Sequence, residues 1–140
     1  MDGLSTAASI IAVIQLAESI VTICGSYIGA VKDAKKDIEN LQREVVSLTG
    51  VLGKLSELLH SPDGTKLSTS QALVNDITEC FSKLTALEKR IDPGKRQKAM
   101  RKFGLRALKW PFERREVDKV ISDLERCKQS FNFALQVDQT

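Results

Sequence analysis

The chain has 140 residues, of which 42% are hydrophobic and 28% are charged, a composition typical of one soluble globular domain. Three prolines, eight glycines, three cysteines and few aromatic residues exclude a collagen-like, disulfide-framework or polytopic membrane protein. The formal net charge of +3 is unevenly distributed, because residues 95–115 hold nine basic residues and one acidic residue, whereas Asp2 and Glu18 are the only charged residues in positions 1–31.

The first predicted element is a helix over residues 4–24, with Asp2 or Ser5 placed to cap its free N–H groups. Apolar residues cover most of its circumference, which is typical of the central helix of a bundle or of a helix that enters lipid. Its length is at the short limit for a membrane span, and Glu18 in the middle argues against a permanent span. Asp2 stands where a secretory signal needs basic residues, and Gly3 is one position too late for myristoylation.

Gly25 and Gly29 follow this helix as a GxxxG pair. Such spacing lets two helices approach closely in lipid, or it marks a bend between the first and second helices. We expect the bend, because each glycine inside a helix costs about 1 kcal/mol relative to alanine.

The second predicted helix, residues 27–60, has the most regular pattern in the chain. Apolar residues alternate at steps of three and four through four heptads, with charged residues between them, which predicts one helix of roughly 50 Å at 1.5 Å per residue. The apolar positions are Val31, Ala34, Ile38, Leu41, Val45, Leu48, Leu52, Leu55 and Leu59. Turn-forming residues 61–64 end the helix.

Two further helices are predicted over residues 69–91 and 111–137. The third has its apolar seam at Leu73, Ile77, Cys80, Leu84, Leu87 and Ile91. The fourth begins at Pro111, with Glu113 favourably placed against the helix dipole. Its seam is Val117, Ile121, Leu124, Cys127 or Lys128, Phe131 and Leu135. No segment alternates with period two for long enough to be a strand, so the predicted fold is an all-α, up-and-down four-helix bundle.

The fourth helix is still periodic at the last residues, without a terminating glycine or proline. We therefore expect the chain to be the N-terminal piece, residues 1–140, of a longer protein.

Catalysis and metal binding find little support in the sequence. The single histidine, His60, lies in a leucine-rich run before a turn, and there is no CxxC pair, phosphate-binding loop or dinucleotide motif. Cys24, Cys80 and Cys127 lie in apolar patterns, which indicates buried reduced thiols and a cytoplasmic protein. We expect a non-enzymatic protein that uses no cofactor and no metal.

Residues 95–110 form a basic connector with two faces when projected on a helix. The apolar face holds Met100, Phe103, Ala107 and Trp110. The basic face holds Lys95, Lys98, Lys102, Arg106 and Lys109. Such a segment suits an anionic membrane surface, at roughly 1 kcal/mol per basic residue, or it is a solvated connector whose Phe103 and Trp110 pack under the bundle. Nucleic acid is not expected as a partner, because Pro111 interrupts the continuous helix that the major groove requires.

The chain resembles the HeLo-like N-terminal domain of fungal STAND proteins, the NLR-like receptors that also carry NACHT or NB-ARC domains. Two stretches carry the resemblance, MDGLSTAASIIAVIQLAESIVTICGSYIGAVKDAKKDIENLQREV and ALKWPFERREVDKVISDLERCKQSFNFAL. Together they cover about half of the chain, and the heptads between them are compatible with the same domain.

The resemblance implies a membrane-targeting bundle that induces programmed cell death in fungal heterokaryon incompatibility and innate immunity. Such domains are similar to the four-helix executioner domain of mixed-lineage kinase-like protein and to the coiled-coil domains of plant NLRs. In that group, oligomerisation releases the apolar first helix into the membrane. Here the inserting residues would be Leu4, Ile10, Ile11, Ile14, Leu16, Glu18, Ile20 and Val21.

The implied partners are anionic membrane lipids, further copies of the chain and a downstream NACHT or NB-ARC domain. The implied location is the cytoplasm, with movement to the plasma membrane on activation. A different class of function stays open, namely a helical signalling or oligomerisation adaptor that pairs with partner helices and does not insert in membrane.

Overall fold

The computed structural model describes residues 6–31, 33–60, 71–92 and 109–139, with side chains described as far as residue 136. This part of the chain folds into four helices: α1 (Thr6–Ala30), α2 (Lys35–His60), α3 (Gln71–Ile91) and α4 (Arg114–Gln139). The described residues contain no strand, and the helices pack as a bundle, which confirms the all-α prediction.

Most of the apolar residues predicted from three-and-four spacing form the core. The exceptions are half-buried, and the first two of them precede α2: Val31, Ala34, Leu59, Ile121 and Leu135. In α2 the buried seam residues are Ile38, Leu41, Val45, Leu48, Leu52 and Leu55. In α3 they are Leu73, Ile77, Cys80, Leu84, Leu87 and Ile91. In α4 they are Val117, Leu124, Cys127 and Phe131. Each large aliphatic residue buried in this way contributes about 1.5–3 kcal/mol, so these seams hold the bundle together.

Helix α1 continues through Gly25 and Gly29, so the bend predicted at these glycines is wrong. Tyr27 lies between them and is fully buried, and its packing outweighs the weak helix propensity of the two glycines. The chain turns instead at residues 33 and 34, and α2 begins at Lys35.

Helix α4 begins three residues later than predicted, at Arg114, because Glu113 caps it. The Glu113 carbonyl accepts hydrogen bonds from the N–H groups of Glu116 at 3.0 Å and Val117 at 3.1 Å. In return, the Glu113 N–H donates to Oε1 of Glu116 at 3.2 Å. The bond from the Glu113 N–H to the Glu116 side chain is one half of a capping box. Because the helix begins after Glu113, Pro111 lies outside it.

Around the bundle the helices follow the order α1, α2, α4, α3. Helix α1 packs on α2 and α3, and α4 packs on the same two helices from the opposite corner. Neighbouring α2 and α4 run in the same direction, since Arg114 Nε lies 3.3 Å from Asp37 Oδ1 and, farther along, Lys128 Nζ lies 3.2 Å from Glu44 Oε1. Helix α1 therefore occupies one corner, with two packed neighbours.

Candidate functional site

Helix α1 has three kinds of surface, and they separate the residues predicted to insert in membrane. The buried face holds Ile10, Val13, Ala17, Ile20, Cys24 and Tyr27. The half-buried flanks hold Ile14, Leu16, Val21, Ile23 and Ile28. The exposed face holds Ile11, Gln15, Glu18, Ser19, Thr22 and Ser26. The remaining predicted residue, Leu4, lies outside the described residues.

Of the described helices, α1 alone is long and apolar enough to cross a membrane. Its most apolar 18-residue window has a mean hydropathy of 2.0, and 33% of that window is buried in the bundle. The core helix of a water-soluble bundle can have the same length and composition, but such a helix is mostly buried. The apolar composition of α1, together with this partial burial, makes it the candidate functional element.

Hydrogen bonds from Tyr27 and Gln42 join α1 to its neighbours. The Tyr27 hydroxyl donates to the carbonyl oxygen of Ile91 at 2.7 Å, and both residues are buried. Ile91 is the last residue of α3, where carbonyls lack a helical donor, so the hydroxyl supplies the missing partner. From α2, Gln42 Nε2 donates to the Val21 carbonyl oxygen at 3.0 Å.

An aromatic cluster at residues 110–112 joins this end of α1 to α4. The rings of Trp110 and Tyr27 meet edge to face with centroids 5.0 Å apart, and Trp110 contacts Phe112 at 5.4 Å. These are the only tryptophan and the only tyrosine of the chain. Edge-to-face aromatic pairs add about 0.5–1.5 kcal/mol beyond the area that they bury.

Arg90, near the end of α3, connects this cluster to the start of α4. Its guanidinium carbon lies 4.3 Å from the centre of the Phe112 ring, and Nη2 donates to the Pro111 carbonyl oxygen at 3.1 Å. Nη1 lies 2.6 Å from Oε2 of Glu116, and this hydrogen bond lowers the pKa of the Glu116 carboxyl below its ordinary value. The sequence analysis did not predict these contacts, although the closely spaced aromatic residues Trp110 and Phe112 could have indicated them.

Replacing Tyr27 with phenylalanine is expected to lower the free energy of unfolding by about 1–3 kcal/mol. The change keeps the ring but removes the donor, which leaves the buried Ile91 carbonyl without the Tyr27 partner. Urea denaturation followed by circular dichroism measures the difference. Thr22→Val is the matched control, because Thr22 is exposed on the same helix and should change stability by no more than about 0.5 kcal/mol. Equal losses in both variants would contradict a special role for the Tyr27 hydroxyl.

Of the predicted lipid-binding residues, Lys109 lies in the described part of the chain, where it is exposed. Lys95, Lys98, Lys102 and Arg106 lie outside the described residues. Trp110 is not helical and is half-buried in the aromatic cluster, as the interpretation of residues 95–110 as a packed connector predicts. Phe103, the other aromatic residue of that interpretation, lies outside the described residues.

Three observations on the described residues bear on ligand chemistry. No three of their His, Cys, Asp or Glu side chains are grouped in a way that could hold a metal ion. His60 is the last residue of α2, and its Nδ1 lies 2.6 Å from the Ser56 carbonyl oxygen. A groove of about 380 Å³ lies between α3 and α4, and its apolar lining is Ala86, Leu87, Phe112, Val120 and Leu124.

Over residues 1–137, the chain matches the model of the family described as pigment biosynthesis cluster protein PigL N-terminal. The match supports a fungal N-terminal domain of a multidomain protein, and it includes both α1 and residues 110–112. No curated protein matches the chain, and no solved structure does.

Proposed function

The chain belongs to the PigL N-terminal family, and from this premise we propose that it is a membrane-targeting cell-death effector domain of the HeLo-like kind. It is inert as a bundle until oligomerisation, driven by a downstream nucleotide-binding domain of an NLR-like receptor, releases α1. The domain acts without catalysis and moves from the cytoplasm to the plasma membrane. The observation that carries the proposal is that α1 has the hydropathy of a membrane span while only 33% of its most apolar window is buried.

Lipid can bury apolar surface on α1 that the bundle leaves open. Ile14, Val21 and Ile28 repeat every seven residues along one flank, and all three are half-buried. Each methylene moved out of water contributes about 0.8 kcal/mol. A membrane therefore competes with α2 and α3 for the same helix, and clustering several copies at a membrane favours the lipid-bound state.

The polar face of α1 is suited to an assembly of inserted helices. The hydroxyls of Thr22 and Ser26 already donate to carbonyls four residues earlier, at 3.1 Å and 3.4 Å, so they need no outside partner. Glu18 is exposed on the same face, and a carboxylate within a membrane requires water or a polar neighbour. We assign this face to the helix–helix contacts or to the water-filled side of an oligomer.

The exposed glycines of α1 are compatible with such an assembly. A Cβ added at Gly29 would meet nothing within 4 Å, and one added at Gly25 would meet only the Gln42 side chain, at 3.8 Å. The bundle therefore makes little use of the space that these glycines leave. In lipid, small residues spaced four apart let helices approach closely.

First contact with the membrane is assigned to the basic connector. Lys109 is exposed, and the other assigned residues are Lys95, Lys98, Lys102 and Arg106. Near an anionic surface each basic residue contributes about 1 kcal/mol. The attraction weakens with salt, because the Debye length falls to about 8 Å at physiological ionic strength.

Dye release from vesicles tests the proposal directly. The chain is fused to a domain that oligomerises on addition of a small molecule, and it is mixed with vesicles of phosphatidylcholine that contain phosphatidylserine. We expect release only when the inducer is present, and less release from vesicles of phosphatidylcholine alone. Folded, clustered protein that leaves the anionic vesicles intact would contradict the proposal.

A signalling adaptor is the second candidate, and the groove between α3 and α4 favours it. Leu87, Phe112 and Leu124 give this groove an apolar lining that could receive the apolar face of a partner helix. An adaptor of this kind leaves vesicles intact when it is clustered, so the dye-release experiment separates the two candidates.

A further inference from the structure

Two of the three cysteines face each other across the α3–α4 interface. The helices are antiparallel, because Lys83 Nζ lies 3.6 Å from Asp123 Oδ2 and Arg90 pairs with Glu116. Cys80 lies one turn before Lys83, and Cys127 lies one turn after Asp123, so this register places the two thiols opposite each other. Both side chains are buried, and each thiol shifts the pKa of the other.

The two thiols differ in exposure and acidity. Cys80 is fully buried, whereas Cys127 is 8% exposed and lines a cavity of about 60 Å³ together with Asp123 and Arg126. The hydrogen bond to Cys127 and burial raise the pKa of Cys80, and the same hydrogen bond lowers the pKa of Cys127. Cys127 is therefore the thiol that a small oxidant reaches first and that more readily becomes a thiolate.

Cys24 provides an internal comparison. It is fully buried on α1, and burial alone raises the pKa of its thiol to about 12. No cysteine neighbour contributes to that shift, whereas Cys80 and Cys127 each affect the other. A buried thiol of this kind is unreactive in the folded chain.

We propose that Cys80 and Cys127 are an oxidation site, at which a peroxide forms a reversible disulfide between α3 and α4. The Cys127 thiolate attacks one oxygen of hydrogen peroxide, and the O–O bond breaks. This step gives a sulfenic acid and a hydroxide ion, which takes up the proton released by the thiol. The Cys80 sulfur then attacks the sulfenic sulfur, and the S–O bond breaks.

The overall reaction balances with hydrogen peroxide as the oxidant. The hydroxyl group of the sulfenic acid and the proton of Cys80 leave as water, so two thiols and one peroxide give one disulfide and two water molecules. A dithiol reductant reverses the reaction by thiol–disulfide exchange. The link joins α3 to α4 and leaves α1 untouched, so it is independent of the membrane proposal.

Peptide mass spectrometry tests the inference on the folded 140-residue chain. The protein is treated with a small excess of hydrogen peroxide, the remaining thiols are alkylated under denaturing conditions, and peptides are analysed without reduction. We expect a cross-linked pair of peptides that contain Cys80 and Cys127 and that lack two hydrogen atoms. The number of alkylated thiols should fall from three to one, with Cys24 still alkylated, and dithiothreitol should restore all three.

Three variants give the controls. Cys24→Ala should form the same cross-link, and Cys127→Ala should form none. Cys80→Ala should leave a Cys127 sulfenic acid that dimedone traps.

The oxidised wild-type chain should also melt at a higher temperature than the reduced chain, because the link closes a long loop in the unfolded state. Alkylation of all three thiols after peroxide treatment, cross-links through Cys24, or cross-links only between chains would overturn the inference, and this wild-type measurement does not depend on the folding of any variant.

Discussion

Replacing Phe131 with alanine is expected to lower the free energy of unfolding by about 3–5 kcal/mol. Phe131 is one of the largest fully buried side chains, and it lies on the face of α4 that packs into the core. The substitution removes the transfer free energy of the ring and leaves a cavity that the surrounding seams fill only in part. Urea denaturation followed by circular dichroism gives the difference.

Phe133 provides the matched control, because it has the same side chain in the same helix two residues later and is 68% exposed. Phe133→Ala should change the free energy of unfolding by no more than about 0.5 kcal/mol. The comparison removes intrinsic helix propensity from the measurement, since both variants make the same exchange inside α4. Similar losses in the two variants would contradict the orientation of α4.

The double variant Ile14→Lys/Val21→Lys is expected to abolish dye release by the clustered chain. In lipid, each lysine near the centre of a membrane helix costs about 2.5–3.5 kcal/mol, and two together reduce insertion roughly 10⁴-fold. In the bundle, both positions are half-buried on one flank of α1, so a lysine can pack its methylene stem and keep its ammonium group in water.

Val51→Lys/Leu58→Lys is the control for this variant. These positions are also seven residues apart and half-buried, but they lie on α2. The control variant has the same net charge as Ile14→Lys/Val21→Lys. We expect it to lose a similar amount of thermal stability but still to release dye. If both double variants release dye as the parent does, or if both lose release together, α1 is not the inserting helix.

The sequence was sufficient to predict the seams of α2 and α3. Their apolar positions follow the helical period without interruption and are separated by charged residues, so only one face could be buried. The prediction was wrong at Gly25 and Gly29, where local propensity and tertiary packing disagree. Tyr27 between them is held by Ile91 and Trp110, and both partners are far away in the chain.

The candidate site was also predictable only in part from the sequence. The apolar character of α1 depends on composition, and it was predicted from the sequence without any contact information. The half-buried state of Ile14 and Val21 depends on which helices lie beside α1, which the sequence does not specify. The pairing of Cys80 with Cys127 likewise requires the antiparallel register of α3 and α4. Ion pairs between the two helices, such as Lys83–Asp123, show that register only in the folded chain, so the sequence did not predict the pairing.

The corner position of α1 means that the bundle is held together by two different kinds of force. Every ion pair that joins two of the described helices involves α4, at Arg114, Glu116, Asp123 and Lys128. Helix α1 has only one charged residue, Glu18, and is attached by apolar packing and hydrogen bonds. Raising the concentration of a strongly hydrated salt such as sulfate screens the first set of contacts and strengthens apolar burial in the second. The apolar seams between α2, α4 and α3 are strengthened as well, but the ion pairs between these helices are weakened. The attachment of α1 has no ion pair to lose, so ionic conditions shift where the molecule opens first.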